Sequence, residues 1–377
     1  MLQIDGKEVA SGHNLSLRYI GSGRNLTWLV NRLYDSFEVI SKVRVRSPLA
    51  LRRTIGVPSP EGDLLIVDAG WSGACLMPSD SALHVPSWVR QRLRLGRDWP
   101  AVEASFARET RNKAERYLRK YGYTCSFSTG SRDFFIFYHK FYRPTLKRRF
   151  AGEAIVVPLD RFLAQCQHGY LLQLRHEGEV RAAALLQRSG RRLVSLWGGE
   201  LTGDESAHLK GLADVLDYCI IRHAAQMRCR TLDLGPSRPR LFDGVLQHKK
   251  KWGAKVGFAW APNSDLILRL LRMNVPIASF LGNAGLLVRD PVGPVAKLMF
   301  ADRTCTAADL DHLYTRYAAD GVVRYDVGSV AGFSDDAQQW ARNDGRPVRL
   351  IDLAASARPE SEFCGSGVAA RRPNEQP

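Results

Sequence analysis

Arg238 stands in a turn of glycine and proline, Gly235-Pro236-Ser237-Arg238-Pro239, where a planar fork of guanidinium donors is well suited to hold a phosphate or a carboxylate. Upstream, His208 and Lys210 precede Gly211 and a run of apolar residues at helical spacing. A helix that opens there directs its free N–H groups and the positive end of its dipole outward, and a pyrophosphate is the ligand such an end attracts. Both signals point to an anionic ligand, and so does the charge. The chain carries 54 Lys and Arg against 38 Asp and Glu, a net charge of +16. From Arg108 to Arg149 twelve bases face three acids, and from Arg238 to Lys255 six face one, so nearly all of the excess lies in two segments. Clustering of this kind suits the phosphates of coenzyme A, a nucleotide sugar, transfer RNA or an anionic membrane surface, or else marks solvated helix faces.

Other chemistry is disfavoured. The seven cysteines (Cys75, Cys125, Cys166, Cys219, Cys229, Cys305 and Cys364) are odd in number and contain no C-x-x-C pair, which argues against a disulfide framework and against a zinc site, so no metal is expected. No basic start followed by an apolar run reads as a secretory signal, and a cytoplasmic protein is expected, with a peripheral place at the inner membrane open to it. Gly21-Ser22-Gly23 resembles the start of a dinucleotide fingerprint, but Leu26 stands where the third glycine belongs and no clear strand precedes it.

The elements that must position these residues can be read from periodicity. In the first hundred residues, Leu26, Leu29, Val30, Leu33, Tyr34 and Phe37 predict a helix. Leu64 to Val67 predicts a buried strand behind Pro58, Pro60 and Gly62. From Trp99 a long basic helix runs to Tyr121, with Gly122 to end it, and Tyr123 to Ser128 alternates as a strand. The aromatic run Phe134 to Tyr142 predicts a helix broken at Arg143-Pro144. Tyr170 to Arg175, Val180 to Gln187 and Leu193 to Trp197 predict an antiparallel meander, with turns at Glu177-Gly178 and Ser189-Gly190. A helix from His208 to Met227, a strand Thr231 to Leu234, a short helix Phe242 to Trp252 and a strand Ala254 to Trp260 follow. Leu266 to Val288 is interrupted by Arg269, Arg272, Asn274 and Pro276; it predicts either a basic amphipathic segment at a membrane surface or a helical hairpin on the core. Ala308 to Ala319 reads as a helix between strands Lys297 to Phe300 and Val322 to Val327, and the composition after Ala354 as a disordered tail.

Three strands, helix, strand, helix, strand is the core order of the GNAT acyltransferases. Leu232-Asp233-Leu234-Gly235, Ser237-Arg238-Pro239, Phe242-Asp243-Gly244 and His248-Lys249-Lys250-Lys251-Trp252-Gly253-Ala254 together resemble the signature of their FemAB and CelD-type branch. There a strand ending in Asp-x-Gly precedes a polar turn and an aromatic-Lys-x-x-aromatic-Gly segment. This chain has His248 where the branch has an aromatic, and it lacks the Gly-rich pyrophosphate loop before the long helix. The resemblance implies an α/β fold with a mixed, mostly antiparallel central sheet flanked by helices, or a tandem pair of GNAT-like halves. The expected divisions are an N-terminal half at 1–98, the acyltransferase core at 99–262, a helical segment and α/β appendage at 263–353 and the tail at 354–377.

The resemblance also implies transfer of an acyl group to an amine. Acyl-CoA, with aminoacyl-tRNA as the alternative donor, would lie between the third and fourth core strands, and the acceptor would be a small molecule or sugar nucleotide of polysaccharide or envelope biosynthesis. Lys249 matches the branch lysine and would steady an oxyanion or a ligand phosphate. Glu200 is the expected base, with Asp204 and Glu205 as rivals and Thr202 with Glu205 spaced as a helix cap. His208, Lys210 and Gly211 would meet the donor, and Ser237, Arg238 and Asp243 the acceptor. Asp233 would hold the following turn together, while Trp197, Trp252 and His223 read as core. Two non-catalytic readings remain: a basic module for RNA or anionic lipid, and an accessory subunit acting through Leu266 to Val288.

Overall fold

The computed structural model describes residues 1–21, 23, 25–44, 62–68, 82–96, 98–201, 210–258, 265–343, 345–354, 356 and 359–365. In chain order the first elements are β1 (Leu2–Glu8), β2 (Asn14–Gly21), α1 (Leu26–Leu33), β3 (Tyr34–Lys42), β4 (Leu64–Asp68), β5 (Leu83–Pro86) and β6 (Val89–Arg94). Next come α2 (Trp99–Ala104), α3 (Arg108–Lys120), β7 (Thr124–Ser128), α4 (Ser131–Ile136), a π-helix (Phe137–Tyr142), α5 (Arg143–Phe150) and α6 (Leu159–Cys166). The meander β8 (Tyr170–His176), β9 (Glu179–Ser189) and β10 (Arg192–Glu200) leads to α7 (Leu212–Gln226), β11 (Thr231–Ser237), α8 (Gly244–Lys250) and β12 (Lys255–Phe258). The chain then forms β13 (Asp265–Leu270), α9 (Val275–Ala284), β14 (Leu286–Asp290), β15 (Gly293–Phe300), α10 (Ala307–Tyr317), β16 (Arg324–Ser329), α11 (Asp335–Asn343), β17 (Val348–Asp352) and α12 (Pro359–Cys364).

Two compact units result. Residues 1–89, 238–247 and 257–377 make the first, and residues 90–237 and 248–256 the second. The sequence-based divisions at 98/99 and 262/263 cut the chain into consecutive pieces, whereas the first unit draws strands from both ends. Its six-stranded sheet has the order β3-β1-β2-β4-β13-β5, with β13 antiparallel to both β4 and β5. Leu64 to Val67 are all buried, as a strand covered on both faces requires. A second sheet, β14-β15-β16-β17, pairs β15, β16 and β17 in parallel.

Several expectations are corrected here. The predicted N-terminal helix ends at Leu33, and Phe37 lies instead on β3, which pairs with β1. A strand, β2, does precede Gly21. Leu266 to Val288 is neither a membrane-surface segment nor a helical hairpin: it is strand, helix and strand, with Leu266, Ile267, Ile277, Phe280, Leu281 and Leu287 buried. Asn274 caps its helix by accepting from the Ile277 N–H, Pro276 fits the first turn, and Gly285 ends it at φ +54°. The tail is not structureless throughout, because α12 buries Phe363, and Lys297 donates to the Phe363 and Gly365 carbonyls.

The second unit is built on one seven-stranded sheet, β12-β6-β11-β10-β9-β8-β7. Glu177 (φ +52°) and Gly178 (φ +80°) make the two-residue turn joining β8 to β9, the positive φ pair that matches strand twist. Alternation then sorts the side chains. Leu172, Leu174, Ala182, Ala184, Leu186, Leu193, Leu232 and Leu234 pack with α2, α3 and α7 on one face; Leu171, Ala183 and Leu185 pack with the aromatic π-helix and α6 on the other. The long basic helix is two helices, because the chain breaks at Ser105 to Ala107, where the Ala107 N–H donates to the Lys251 carbonyl. Pro144 does not end the aromatic helix either. The wider π turn precedes it, and the proline sits in the first turn of α5, where its missing N–H costs nothing.

Candidate active site

The centre of the second unit is the parallel pair β10 and β11. Arg192, Leu193 and Val194 pair with Thr231, Leu232 and Asp233, and the pairing stops there. On its other side β10 stays paired with β9 through Glu200, but the register shifts between Ser195 and Trp197, leaving Leu196 as the extra residue of a bulge. The ladder to β11 therefore ends just before the bulge, with the Ser195 carbonyl still 3.1 Å from where a Cβ on Gly235 would sit. Beyond Val194 the backbone N–H and C=O groups on that edge of β10 make no ladder bonds to β11. Gly198 and Gly199 follow. A Cβ on Gly199 would lie 2.5 Å from the Phe141 carbonyl carbon, so glycine is what lets the π-helix lie against the strand, while Gly198 is exposed and, among the described residues, has only the Ala183 carbonyl, at 4.0 Å, near its Cβ position.

The opposite wall is held by Lys249. Its Nζ, 9% exposed as a residue, donates to the Gly235 carbonyl (3.0 Å), the Pro236 carbonyl (2.8 Å) and Ser237 Oγ (3.2 Å). Ser237 Oγ donates in turn to Gln91 Oε1 at 2.9 Å. Gly235 has φ +82°, a turn that a side chain would strain, and Asp233 Oδ1 accepts from the Gly235 N–H at 3.0 Å, so Asp233 does hold the turn. Three guanidiniums reach the same carboxylate: Arg90 and Arg92 through Nε, and Arg192 through Nη2 at 2.7 Å. Burial works against charge on Asp233, but Arg90, the Gly235 N–H and Arg192 outweigh it and hold its pKa below the ordinary carboxylate value.

At the far end of β10, Glu200 Oε1 accepts from Arg148 (2.5 Å) and Arg149 (2.8 Å) of α5, and Thr145 Oγ1 bridges the Glu200 backbone N–H and carbonyl. Among the described residues Glu200 Oε2 has no hydrogen-bond partner. His248, the residue that departs from the branch pattern, meets Asp217 Oδ2 through Nε2 at 2.8 Å, and its Nδ1 lies 3.7 Å from Asp214 Oδ1. Burial disfavours its charge and Arg149 opposes it, yet the Asp217 bond and the Asp214 charge raise its pKa above the ordinary histidine value.

Of the sequence-predicted site residues, the structure brings Ser237 and Lys249 into contact and sets Glu200 at the end of the parting strand. Lys210 is exposed just before Gly211, the residue before α7 (φ +72°), and a Cβ on Gly211 would meet the Tyr117 ring at 2.1 Å. His208, Thr202, Asp204 and Glu205 lie outside the described residues. Arg238 and Asp243 belong to the first unit. There Arg238 stacks over Trp88 (4.0 Å) and Trp28 (4.9 Å), and Asp243 Oδ1 accepts from the Leu246 N–H at the start of α8. Trp252 is a core side chain, while His223, bonded to the Tyr170 hydroxyl at 2.8 Å, is only partly buried. Sequence reasoning missed the arginines around Asp233. Their signal was present as Arg90-x-Arg92, two like charges on one face of a strand. Among the described residues no group of three His, Cys, Asp or Glu could hold a metal, and no helix is long and apolar enough to cross a membrane.

Residues 89–250 match the family model described as an acetyltransferase (GNAT) domain. No curated protein matches the chain. Among solved structures, FemX is similar at 12% identity over 74% of this chain and 85% of its own, with a TM-score of 0.37; L-PGS from Bacillus licheniformis at 13% over 62% and 76%, TM-score 0.34; and a GCN5-related N-acetyltransferase from Sphaerobacter thermophilus at 15% over 67% and 70%, TM-score 0.33. By its strand order, its parted parallel pair and its family match, the chain carries a GNAT acyltransferase domain at residues 89–250 and is through it an N-acyltransferase.

Proposed function

We propose that this enzyme moves an acyl group from acyl-CoA to an amine on a sugar nucleotide or another cell-envelope precursor. The observation that carries the reading is the end of pairing between β10 and β11 after Val194 and Asp233. An extended thioester arm bearing amides can take the place of the missing strand. Its carbonyl then lies against backbone N–H groups beside the bulge, where charge developing on oxygen is stabilised by donors already in place. Lys249 is a positioning residue in this scheme, fixing the β11 wall through the Gly235 and Pro236 carbonyls. Glu200 takes the amine proton on Oε2 while Arg148 and Arg149 hold Oε1. The amine nitrogen bonds to the acyl carbon, the thiolate leaves, and the proton passes to the carboxylate.

One observation favours a second donor. Asp214 occupies the first turn of α7, which weakens the pull of that helix end on a pyrophosphate, while Arg108, Lys113, Arg116, Arg119 and Lys120 of α3 are exposed. An aminoacyl-tRNA would use such a basic helix. The deciding experiment is release of free coenzyme A from acetyl- and longer acyl-CoAs with a panel of amines. The expected result is amine-dependent release that Glu200→Gln slows by about a hundredfold or more. No binding and no turnover of any acyl-CoA would remove this reading in favour of the aminoacyl-tRNA donor.

A further inference from the structure

Arg90 and Arg92 on β6, Arg192 on β10 and Asp233 on β11 lie on three neighbouring strands. Leu193, Leu232 and Leu234 face α7, so by alternation Arg192 and Asp233 belong to the opposite face of the sheet. Asp233 is fully buried, while the arginine side chains are 24%, 41% and 44% exposed. The carboxylate is saturated: Oδ1 accepts from Arg90 Nε and the Gly235 N–H, and Oδ2 from Arg90 Nε, Arg92 Nε and Arg192 Nη2. Each guanidinium spends one nitrogen on it. Among the described residues no other carboxylate pairs with any of the three. Holding the turn after Asp233 needs one arginine; three leave two positive charges in excess and their outer N–H donors open to solvent.

We propose that this cluster binds a phosphate or pyrophosphate group of the acceptor substrate. A phosphate dianion matches the excess charge, and converging planar forks suit its oxygens. The group is a compact ligand rather than a nucleic acid backbone, because the three arginines converge on one point instead of forming a stripe. Val194 and Asp233 are the last pair before the strands part, so an anion held here places the rest of its molecule beside the gap. That the phosphate belongs to the acceptor rests on the acyltransferase reading; that the cluster takes a phosphate rests on the cluster alone.

The test is calorimetric titration of the full chain with inorganic pyrophosphate, with free coenzyme A and with a phosphate-free thioester, S-acetyl-pantetheine, for wild type, Arg92→Gln and Arg192→Gln. Both arginines are well exposed and Asp233 keeps Arg90 in each variant, so folding is checked simply by an unliganded melting curve. Pyrophosphate is expected to bind the wild type and to bind each variant about tenfold or more weakly, with thioester affinity unchanged. Pyrophosphate that does not bind, or binds wild type and variants alike, overturns the site. If coenzyme A weakens in parallel with pyrophosphate, the phosphate belongs to the donor and the acceptor assignment falls. If the thioester fails to bind while pyrophosphate behaves as expected, the anion site stands and the acyl-CoA donor reading falls instead.

Discussion

Each unit buries one strand aspartate among three cations, and the two arrangements differ in what the cations do with their remaining donors. In the first unit Asp326 meets Lys297, Arg324 and Arg349. Lys297, 2% exposed, also donates to the Phe363 and Gly365 carbonyls, Arg349 to Gly365 and Arg324 to Asp290. In the second unit the arginines around Asp233 meet nothing further among the described residues and stay partly exposed. A cluster whose donors end on its own backbone and a second carboxylate is closed and structural. One whose donors end in solvent is available to a ligand. The same count of charges therefore has two meanings, and geometry decides between them.

The comparison is broken most severely at Asp326. Asp326→Ala leaves Lys297 buried without its counter-charge and is expected to cost about 3–5 kcal/mol in denaturant unfolding; a loss under about 1 kcal/mol would contradict the closed reading. Lys249→Met removes donors to two carbonyls and Ser237, with an expected loss of about 1.5–3 kcal/mol and a larger fall in kcat than in substrate affinity. Arg192→Gln, at the exposed edge of the open cluster, is expected to cost less than about 1 kcal/mol, measured the same way.

Acid sharpens the contrast. Asp233 and Asp326 both have lowered pKa values, each against the cost of burial: for Asp233 chiefly through Arg90, for Asp326 chiefly through Lys297 and then Arg324. Their stabilisation is present above the unfolded carboxylate pKa and is lost as pH falls through the folded values. His248 runs the other way. Its raised pKa contributes stability below the unfolded histidine value that disappears as pH rises through the folded one. Asp217→Asn is expected to move the His248 titration, followed by NMR, to lower pH, and an unmoved titration would contradict the assigned partner.

Much of the second unit was legible because its signals are local. The meander follows from alternation and from turn residues such as Gly178, and α7 from apolar spacing that both the sheet and α3 bury. What was not legible depended on distant partners. Leu266 to Val288 reads as a membrane-surface segment or a helical hairpin because nothing in the sequence announces that β4 and β5 flank its first residues. Phe37 kept helical spacing, yet pairing with β1 pulled it into a strand. Lys249 stood out in the sequence by its match to the branch lysine, but its contacts with the Gly235 and Pro236 carbonyls did not, because a side chain that braces a turn leaves no spacing rule behind. The arginines around Asp233 come from the two strands that flank β11, and only the Arg90-x-Arg92 pair is visible before the strands are aligned.

The central claim is that the thioester lies in the gap where β10 leaves β11, and Gly198 tests it most directly. It is exposed just past the bulge, and among the described residues a Cβ there meets nothing closer than the Ala183 carbonyl at 4.0 Å, so Gly198→Trp should fold while setting a large ring on the strand the thioester would line. Titration of acetyl-CoA into wild type and Gly198→Trp, with melting temperatures taken alongside, should show binding lost in the variant at an unchanged melting temperature. Undiminished binding by a well-folded Gly198→Trp would contradict the account.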